Sequence, residues 1–406
     1  MDRQSKLKVL GQGNDHELDG PPTPGRRAVT SQYGIFETKT AKSKLPVMRT
    51  MMTSACAQRC RYCTFGLDVD FKRATWKTEE LARTMSELSD ADLARGLFLT
   101  SGLAGSSVRM MDRMLDAVRI LRTKYAFDGY VHLKILPGAE DAQIEEAVRL
   151  ADRVSLNLEA PTEGALEKIA PGKSLSKDLA LRLKAVQALK ARGIKPRSGL
   201  VTQFVVGPGG ESDRTLLTAV DRLYQRYDVR RAYYSAFTPV LGTPMENEPP
   251  EAPTRELRLY QADWLLRFYG FALDELPLDD DGALPREQDP KTAWALARPE
   301  LWPVEINRAD RELLLRIPGL GPTSVDRIVH TRRRTTLRSP EDLRRLRIPP
   351  KRVRNFVLFD GRHYPGPQSW MMPPPIQLEL FDRIRGFGRL PEDRRRIEPA
   401  SGGTYV

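Results

Sequence analysis

Cysteine and histidine are scarce in this chain, with 3 Cys and 4 His among 406 residues. So few cysteines exclude the dense disulfide framework that stabilises small secreted domains. The three cysteines nevertheless lie together, at Cys56, Cys60 and Cys63, within one run of eight residues. Placing every thiol in one short loop indicates a soft metal site with three thiolate ligands and an unfilled fourth position.

Long apolar runs are also missing. No stretch approaches the roughly 20 consecutive apolar residues that a membrane helix needs, and the first residues, Met1 to Lys6, are too charged for a secretory signal. Apolar residues still make up 40% of the chain, which allows a sizeable core in two or three domains. We therefore expect a cytoplasmic protein, because a reducing compartment suits free thiols.

The cysteines have the spacing C-x3-C-x2-C, and Tyr62 directly precedes the last of them. A structural zinc site closes four positions and usually draws its ligands in pairs from two loops. The histidines that could complete such a site are scattered, at His16, His132, His330 and His363. An iron-sulfur cluster held by three cysteines leaves one iron open and needs no fourth protein ligand. The spacing favours the cluster, and structural zinc is the alternative.

The run from Cys56 to Cys63 resembles the defining loop of the radical S-adenosylmethionine (SAM) enzymes. The resemblance implies a 4Fe-4S cluster whose open iron takes the amino and carboxylate groups of SAM. It also implies an electron donor, since an injected electron splits the sulfonium to a 5′-deoxyadenosyl radical. No thiol is left for hydrogen return or for a second cluster.

Apolar strand-like runs alternate with amphipathic helical stretches between residues 45 and 270. Six such units predict an α/β fold, a partial (β/α)6 radical SAM barrel whose functional groups lie at the carboxyl ends of the strands. We predict strands at 46–52, 97–101, 130–136, 154–160, 200–206 and 231–237, and helices near 78–88, 107–123, 140–151, 177–192, 212–226 and 254–270.

Several strand ends carry groups that a bound nucleoside can use, and their order after the cysteine loop resembles the biotin synthase branch of the superfamily. The resemblance implies that these residues contact SAM: Tyr62, Thr100, Ser101, Gly102, Asn157, Glu159, Gly207 and Glu211. Ordinary loops and a polar barrel core are the alternatives for each of them.

Three further residues are candidates for catalysis. His132 and Lys134 share one face of a predicted strand, where they either grip an anionic substrate or belong to a satisfied polar core. A tyrosine is the remaining type of hydrogen donor, and Tyr130, Tyr233 and Tyr234 occupy strand positions. We select Tyr234 as the candidate.

Positive charge is concentrated in residues 303–363, which hold 15 Lys/Arg against 7 Asp/Glu, although the whole chain carries a formal charge of +12. This segment, with Pro318-Gly-Leu-Gly321 between two helical stretches, resembles the helix-hairpin-helix motif of DNA-binding proteins. We expect a small all-α domain that contacts phosphates through a helix N-terminus and nearby arginines. The predicted DNA-binding residues are Gly319, Leu320, Gly321, Arg327, Arg332, Arg333 and Arg334. A hairpin used for protein contacts is the alternative.

The remaining segments are an N-terminal extension at 1–44, a linker at 271–302 and an extended, Pro-rich tail at 364–406. The tail contains Gln377-Leu-Glu-Leu-Phe381, which resembles the peptide by which bacterial proteins bind the sliding clamp. A segment that packs on its own domain is the alternative.

From the cysteine loop to the hairpin, residues 45–363, the chain resembles a family of DNA modification or repair radical SAM proteins. Gly129 to Gly138 and Asn157 to Thr162 contribute to this resemblance. It implies DNA as the substrate and a uracil-DNA-glycosylase-like partner. A radical enzyme that acts on a protein or small molecule while bound to DNA, and a non-catalytic iron-sulfur redox sensor on DNA, are the alternatives.

Overall fold

The structure is a computed structural model that describes residues 1–12, 28–30, 34–39 and 44–366. Its internal contacts divide the chain into two compact units, Met1–Ala297 and Arg298–Val406. The division falls within the predicted linker at 271–302. Most of that linker nevertheless belongs to the first unit. The backbone N–H of Leu284 and the guanidinium of Arg286 both donate to the buried carboxylate of Asp213.

The first unit is built on one eight-stranded sheet with the strands in chain order. Two short edge strands pair antiparallel, and the following six are all parallel. The strands are β1 (Ala28–Thr30), β2 (Ile35–Lys39), β3 (Lys44–Met51), β4 (Gly96–Thr100), β5 (Tyr130–Lys134), β6 (Arg153–Ser155), β7 (Leu200–Val206) and β8 (Val229–Ala236). The six parallel strands confirm the predicted α/β partial barrel.

Amphipathic helices cover the outer face of this sheet. Helix α3, for example, follows the extended N-cap Ser106 and buries Met110, Met114 and Leu121 along one stripe. The helices of the first unit are α1 (Arg3–Gln12), α2 (Thr78–Asp90), α3 (Ser107–Thr123), α4 (Asp141–Leu150), α5 (Glu163–Ile169), α6 (Ala180–Ala191), α7 (Asp213–Tyr227), α8 (Pro253–Phe268) and α9 (Pro290–Leu296), with a π-helical turn at Leu175–Leu179. Within the described residues, none of the helices is both long and apolar enough to cross a membrane.

Alternation along each strand separates the core from the barrel interior, since successive side chains point to opposite faces. In β5, Val131 and Leu133 are fully buried beneath the helices, whereas Tyr130, His132 and Lys134 line cavities on the inner side. The inner face therefore collects polar side chains, and the outer face supplies the apolar core.

The first unit departs from the predicted elements at several points, which include the unpredicted helices α5 and α9. The strand predicted at 154–160 ends at Ser155. The chain pairs with β7 again at Glu159, which has a left-handed φ of 65° and forms a single parallel bridge to Phe204. Part of the N-terminal extension joins the fold, since β1 and β2 lengthen the sheet beyond β3 and Leu10 of α1 is buried. Neither was predicted, because strands this short carry little periodicity.

The second unit contains two helical hairpins and a small three-stranded sheet. Its elements are β9 (Val304–Glu305), α10 (Arg311–Arg316), α11 (Pro322–Arg332), α12 (Pro340–Arg345), α13 (Pro350–Val353), β10 (Val357–Phe359) and β11 (Arg362–His363). The all-α prediction is therefore wrong in one respect. β9 and β10 pair in parallel, and this pairing joins the two ends of the unit.

A buried ionic network ties α8 to the sheet and yields the first prediction. Asp263 is fully buried and accepts hydrogen bonds from Tyr224 and Arg267. The Tyr224 hydroxyl in turn accepts the N–H of Ala232 in β8 at 3.0 Å. Asp263→Ala leaves the Arg267 guanidinium without its counter-charge, so we expect the free energy of unfolding to fall by about 3–5 kcal/mol. Urea denaturation measures it.

Asp274→Ala is the matched control, because Asp274 is exposed. Its expected effect is within about 0.5 kcal/mol of wild type. A similar, small effect for both variants would contradict the assignment of Asp263 as a structural anchor.

Candidate functional site

A cavity of about 200 Å³ lies at the carboxyl ends of the parallel strands. All three cysteines line it, together with side chains from the ends of β4 to β8. Connections at this edge of a parallel sheet are the usual location of binding sites. The position of the cavity therefore agrees with the site predicted from the strand order.

The cysteine loop leaves β3 and is held by one arginine from its own far end. Arg73 donates to the carbonyls of four loop residues, at distances of 2.7–2.9 Å: Ser54, Phe65, Gly66 and Val69. A planar guanidinium carries five N–H donors, which suits several convergent carbonyls. The four carbonyls lie before and after the three cysteines in the chain. These contacts therefore hold the loop in place although it has no regular secondary structure.

The loop that follows β4 packs closely against the cysteine loop. A Cβ at Gly102 would lie 2.4 Å from the carbonyl oxygen of Ala55, so only glycine fits there. The next residue, Leu103, donates its N–H to the sulfur of Cys56 at 3.4 Å. Gly102 is thus required for the packing of the two loops. The family resemblance separately implies that Gly102 contacts SAM.

The thiols are suited to an iron-sulfur cluster. Backbone N–H groups of Gln58 and Phe65 donate to the sulfurs of Cys56 and Cys63, each at 3.4 Å, and hydrogen bonds of this kind stabilise cluster thiolates. Burial raises the pKa of Cys63 to about 12 and also raises that of Cys60. Burial thus disfavours free thiolates at Cys60 and Cys63, and a bound cluster would offset this cost; the three thiols in one cavity fit a cluster with three protein ligands.

The histidines do not join the cysteines. None of the described histidines, His132, His330 and His363, is among the residues that line this cavity. His16 lies outside the described residues. Across the same described parts of the chain, no three His, Cys, Asp or Glu side chains converge on a single metal ion. The zinc alternative therefore gains no fourth ligand from the described residues.

Lys173 is a site residue that the sequence prediction missed. It lines the cavity with only 11% of its side chain exposed, and its Nζ lies 3.3 Å from a carboxylate oxygen of Glu159. Burial raises the pKa of Tyr62, and the negative charge of Glu159 raises it further. Lysine in a Pro-Gly-Lys-Ser turn resembles an ordinary loop residue in sequence, because only the tertiary fold buries it.

The predicted SAM-contacting residues fall into two groups. Six of them line the cavity: Tyr62, Thr100, Ser101, Gly102, Asn157 and Glu159. Gly207 and Glu211 are not among its lining residues. The buried carboxyl of Glu211 accepts the N–H of Gly207 at 2.6 Å, and burial raises the pKa of this group. In the structure Glu211 braces the turn that follows β7.

The catalytic candidates are separated. Lys134 lines the cavity, whereas His132 lines a neighbouring cavity of about 30 Å³ deeper in the half-barrel, with Tyr130 and Tyr233. Asn157 and Gln203 border both cavities.

Tyr234 points to the opposite face of the sheet, where its ring lies 5.1 Å from that of Tyr260 on α8. The structure does not bring Tyr234 to the cavity, because successive residues of β8 alternate between the two faces. Tyr233, its neighbour in the strand, is the one that faces the interior.

Sequence reasoning also missed polar side chains on the last two strands. Gln203 of β7 and Ser235 of β8 line the cavity opposite the cysteine loop. A glutamine inside the apolar run Leu200–Val206 was the available signal, since an inward polar residue interrupts the pattern expected of a buried strand.

The predicted DNA-binding residues all lie on the first hairpin of the second unit. Gly319 has φ of 91° and Leu320 is buried, while Gly321 is the N-cap of α11. Arg327 and Arg332 donate to backbone carbonyls of Leu346 and of Ile306 and Ala309, whereas Arg333 and Arg334 are exposed. The last two arginines are thus the more accessible charges.

The site described so far is that of an iron-sulfur protein with a half-barrel. The model of the Radical SAM superfamily matches residues 50–223, which include the cysteine loop and β4 to β7. This stretch is a Radical SAM superfamily domain, the catalytic domain of an enzyme class that binds a 4Fe-4S cluster and SAM. The predicted superfamily and the two predicted cofactors are confirmed at this level.

Solved structures similar to the chain include three proteins. One is the FeFe-hydrogenase maturase HydG from Carboxydothermus hydrogenoformans, at 14% identity and a TM-score of 0.42, with 54% of this chain and 50% of that chain covered. Another is methylornithine synthase (PylB), at 17% identity and 0.41, with 53% and 61% covered. The third is the Escherichia coli coproporphyrinogen III oxidase (HemN), at 11% and 0.35, with 55% and 52% covered. The chain thus spans about half to three fifths of their lengths. No curated protein sequence matches it.

The four carbonyl contacts of Arg73 generate a prediction about cluster binding. Hydrogen bonds from a charged donor are worth about 1.5–3 kcal/mol each, so Arg73→Ala should loosen the loop and reduce iron retention at least about tenfold. Iron and acid-labile sulfide per chain, measured after anaerobic reconstitution and gel filtration, check this.

Lys72→Ala is the matched control, because Lys72 is adjacent, equally charged and exposed. Circular dichroism of both variants verifies that the fold is retained. Full iron retention by Arg73→Ala would contradict the proposed role of Arg73.

Proposed function

We propose that this protein is a radical SAM enzyme that acts on a base or sugar of DNA, held by its second unit. One observation carries the proposal of catalysis. The three cysteine thiols line a single cavity of the Radical SAM domain together with Lys173, Glu159 and Asn157. A basic unit with a helical hairpin in the same chain supports DNA as the substrate.

The residues present suit both cofactors. The thiolates of Cys56, Cys60 and Cys63 would hold the cluster, and the Lys173 ammonium suits the carboxylate of an amino acid. Asn157 and Glu159 offer acceptors for ribose hydroxyls. When bound and reduced, the cluster and SAM together supply a 5′-deoxyadenosyl radical, which abstracts hydrogen from a substrate.

The remaining walls of the cavity favour a polar substrate. Lys134, Gln203 and Ser235 line the side contributed by β5, β7 and β8. Phe65, Val205 and Phe237 contribute apolar surface around them, which limits the access of water to the reacting atoms. A nucleotide fits this combination, since it offers an apolar ring face and polar edges.

The first hairpin of the second unit has the features that phosphate binding requires. Gly319 takes the left-handed conformation of the turn. The side chain of Leu320 is buried, and its backbone N–H donates to the carbonyl of Ile317 at 3.1 Å. The first amides of α11 have no acceptor within the helix, and the helix dipole favours an anion there. Contacts of this kind hold the DNA backbone and do not read sequence.

The second hairpin repeats this geometry with different chemistry. Arg347 has φ of 59° and Ile348 is buried, in the positions that Gly319 and Leu320 occupy in the first hairpin. Pro349 and Pro350 follow, and neither has an N–H to donate. The first hairpin is therefore the one we assign to phosphate binding.

Partners and location complete the proposal. An external electron donor is needed for reduction, and the cytoplasm suits an oxygen-sensitive cluster. The peptide Gln377–Phe381 lies outside the described residues, so binding of the sliding clamp stays a prediction. A uracil-DNA-glycosylase-like partner is likewise proposed only on the family resemblance.

The decisive experiment measures 5′-deoxyadenosine formed by anaerobically reconstituted protein with dithionite and SAM. We expect formation that DNA stimulates, and single-stranded DNA should stimulate more than duplex, because a base must leave the stack to enter the cavity. The Cys60→Ser variant is the control, with no product expected. Indifference to DNA would favour a protein or small-molecule substrate, and a complete lack of SAM cleavage would favour a redox sensor. Preference for intact duplex would count against a substrate inside the cavity.

DNA binding through the first hairpin is tested by removing one amide. Gly321→Pro abolishes the N–H and reproduces the Pro-Pro sequence of the second hairpin. Gly321 has φ of −107° and Pro349 has φ of −62°, so circular dichroism first verifies that the variant is folded. One hydrogen bond to a charged group is worth about 1.5–3 kcal/mol, and we expect DNA affinity to fall at least about tenfold. Fluorescence anisotropy with labelled DNA at fixed salt measures the affinity.

Gly321→Ala keeps the amide and should bind like wild type. A double change of Arg333 and Arg334 to Gln should instead reduce the slope of log affinity against log salt, by about one for each phosphate that these arginines neutralise. Equal affinity of Gly321→Pro and wild type would remove the assignment of α11 as the phosphate site.

A further inference from the structure

Leu241 is the most exposed large apolar residue in the described part of the chain, with a relative exposure of 79%. It lies in the loop that follows β8, at the carboxyl edge of the sheet. Two earlier residues of this loop, Thr238 and Val240, line the cavity that contains the cysteines. Leu241 therefore extends into solvent at the rim of the candidate site.

A tight turn holds Leu241 at its tip. The N–H of Thr243 donates to the carbonyl of Val240 at 3.2 Å, and the Thr243 hydroxyl donates to the same carbonyl at 2.7 Å. Gly242 has φ of 80°, as the third residue of a type II turn requires, and its N–H donates to the carboxylate of Glu246 at 2.7 Å. Thr243 is buried, so the turn is anchored to the body of the first unit.

The turn lies beside the cysteine loop, because a Cβ at Gly242 would be 4.0 Å from Cγ1 of Val69. The cysteine loop carries an exposed leucine of its own, Leu67, with a relative exposure of 49%. Single exposed apolar residues are common on protein surfaces. These two, however, belong to neighbouring loops that both contribute lining residues to the same cavity.

We propose that Leu241 is a wedge that enters the base stack of DNA when a base leaves it, an inference that rests on the proposed function. A base inside a duplex reaches the cavity only by extrusion, which leaves a gap between its neighbours. Proteins that unstack DNA insert apolar side chains such as leucine between base steps. The inserted side chain leaves water, and this offsets part of the cost of unstacking. A turn that is already ordered loses little conformational freedom when it binds.

The proposed role concerns stacked DNA. A single strand has little stacking to break, so its bases reach the cavity without a wedge, whereas a duplex base must be extruded. Single-stranded DNA of the same sequence therefore serves as the internal reference for each variant.

The ratio of duplex-stimulated to single-strand-stimulated 5′-deoxyadenosine formation tests the inference in the reconstituted full chain. Leu241→Ala should lower this ratio at least about tenfold, which corresponds to about 1.4 kcal/mol. Leu241→Phe keeps a large apolar side chain and should retain the wild-type ratio. Leu93→Ala is the matched control, because Leu93 is also exposed but lies in the loop that leads into β4, at the amino edge of the sheet.

A fluorescence measurement without SAM supplies a second readout. The probe is a short duplex with 2-aminopurine at several positions, since this base brightens when it leaves the stack. Anisotropy verifies that each protein is saturated with duplex. We expect wild type and Leu93→Ala to brighten the bound duplex, and Leu241→Ala to leave it dim.

The outcomes separate the wedge from the proposed function. Equal ratios and equal brightening for wild type and Leu241→Ala would overturn the inference, as would a bound duplex that wild type leaves dim. Lack of stimulation of wild type by either form of DNA would instead refute DNA as the substrate.

Discussion

The cysteine loop is an irregular stretch of backbone, and the guanidinium of Arg73 supplies its carbonyls with donors that regular structure would otherwise provide. Four carbonyls from Ser54 to Val69 converge on this one side chain. The three thiols keep their places along the cavity because the loop is bracketed in this way. The loop after β4 depends on the position of the cysteine loop, since Gly102 packs against the carbonyl of Ala55.

Charge within the cavity is organised in pairs. Lys173 and Glu159 neutralise each other in the cavity that the cysteines line, and each is fixed by contacts from a different part of the chain. Glu159 has a left-handed φ of 65° and still pairs with Phe204 of β7. The residue that carries the only carboxylate in the described cavity lining is therefore fixed to the sheet.

The second unit shows how one geometry can be kept while its binding chemistry changes. The left-handed turn residue and the buried anchor are present in both hairpins, as Gly319 with Leu320 and Arg347 with Ile348. Leu320 and Ile348 are both buried in the second unit, so each hairpin keeps its apolar anchor. Phosphate binding requires free amides as well, and the prolines of the second hairpin lack them.

The sequence by itself determined the elements whose signals are local. The cysteine spacing lies within one loop, and the period-2 and helical patterns predicted the six parallel strands, five of them close to their observed positions. It did not determine which face of each strand is inward, so Tyr234 was selected although Tyr233 faces the interior. Arg73 and Lys173 were missed because their roles arise only when distant segments meet. Tertiary structure decided these points, since burial and charge pairing depend on neighbours that the local pattern does not contain.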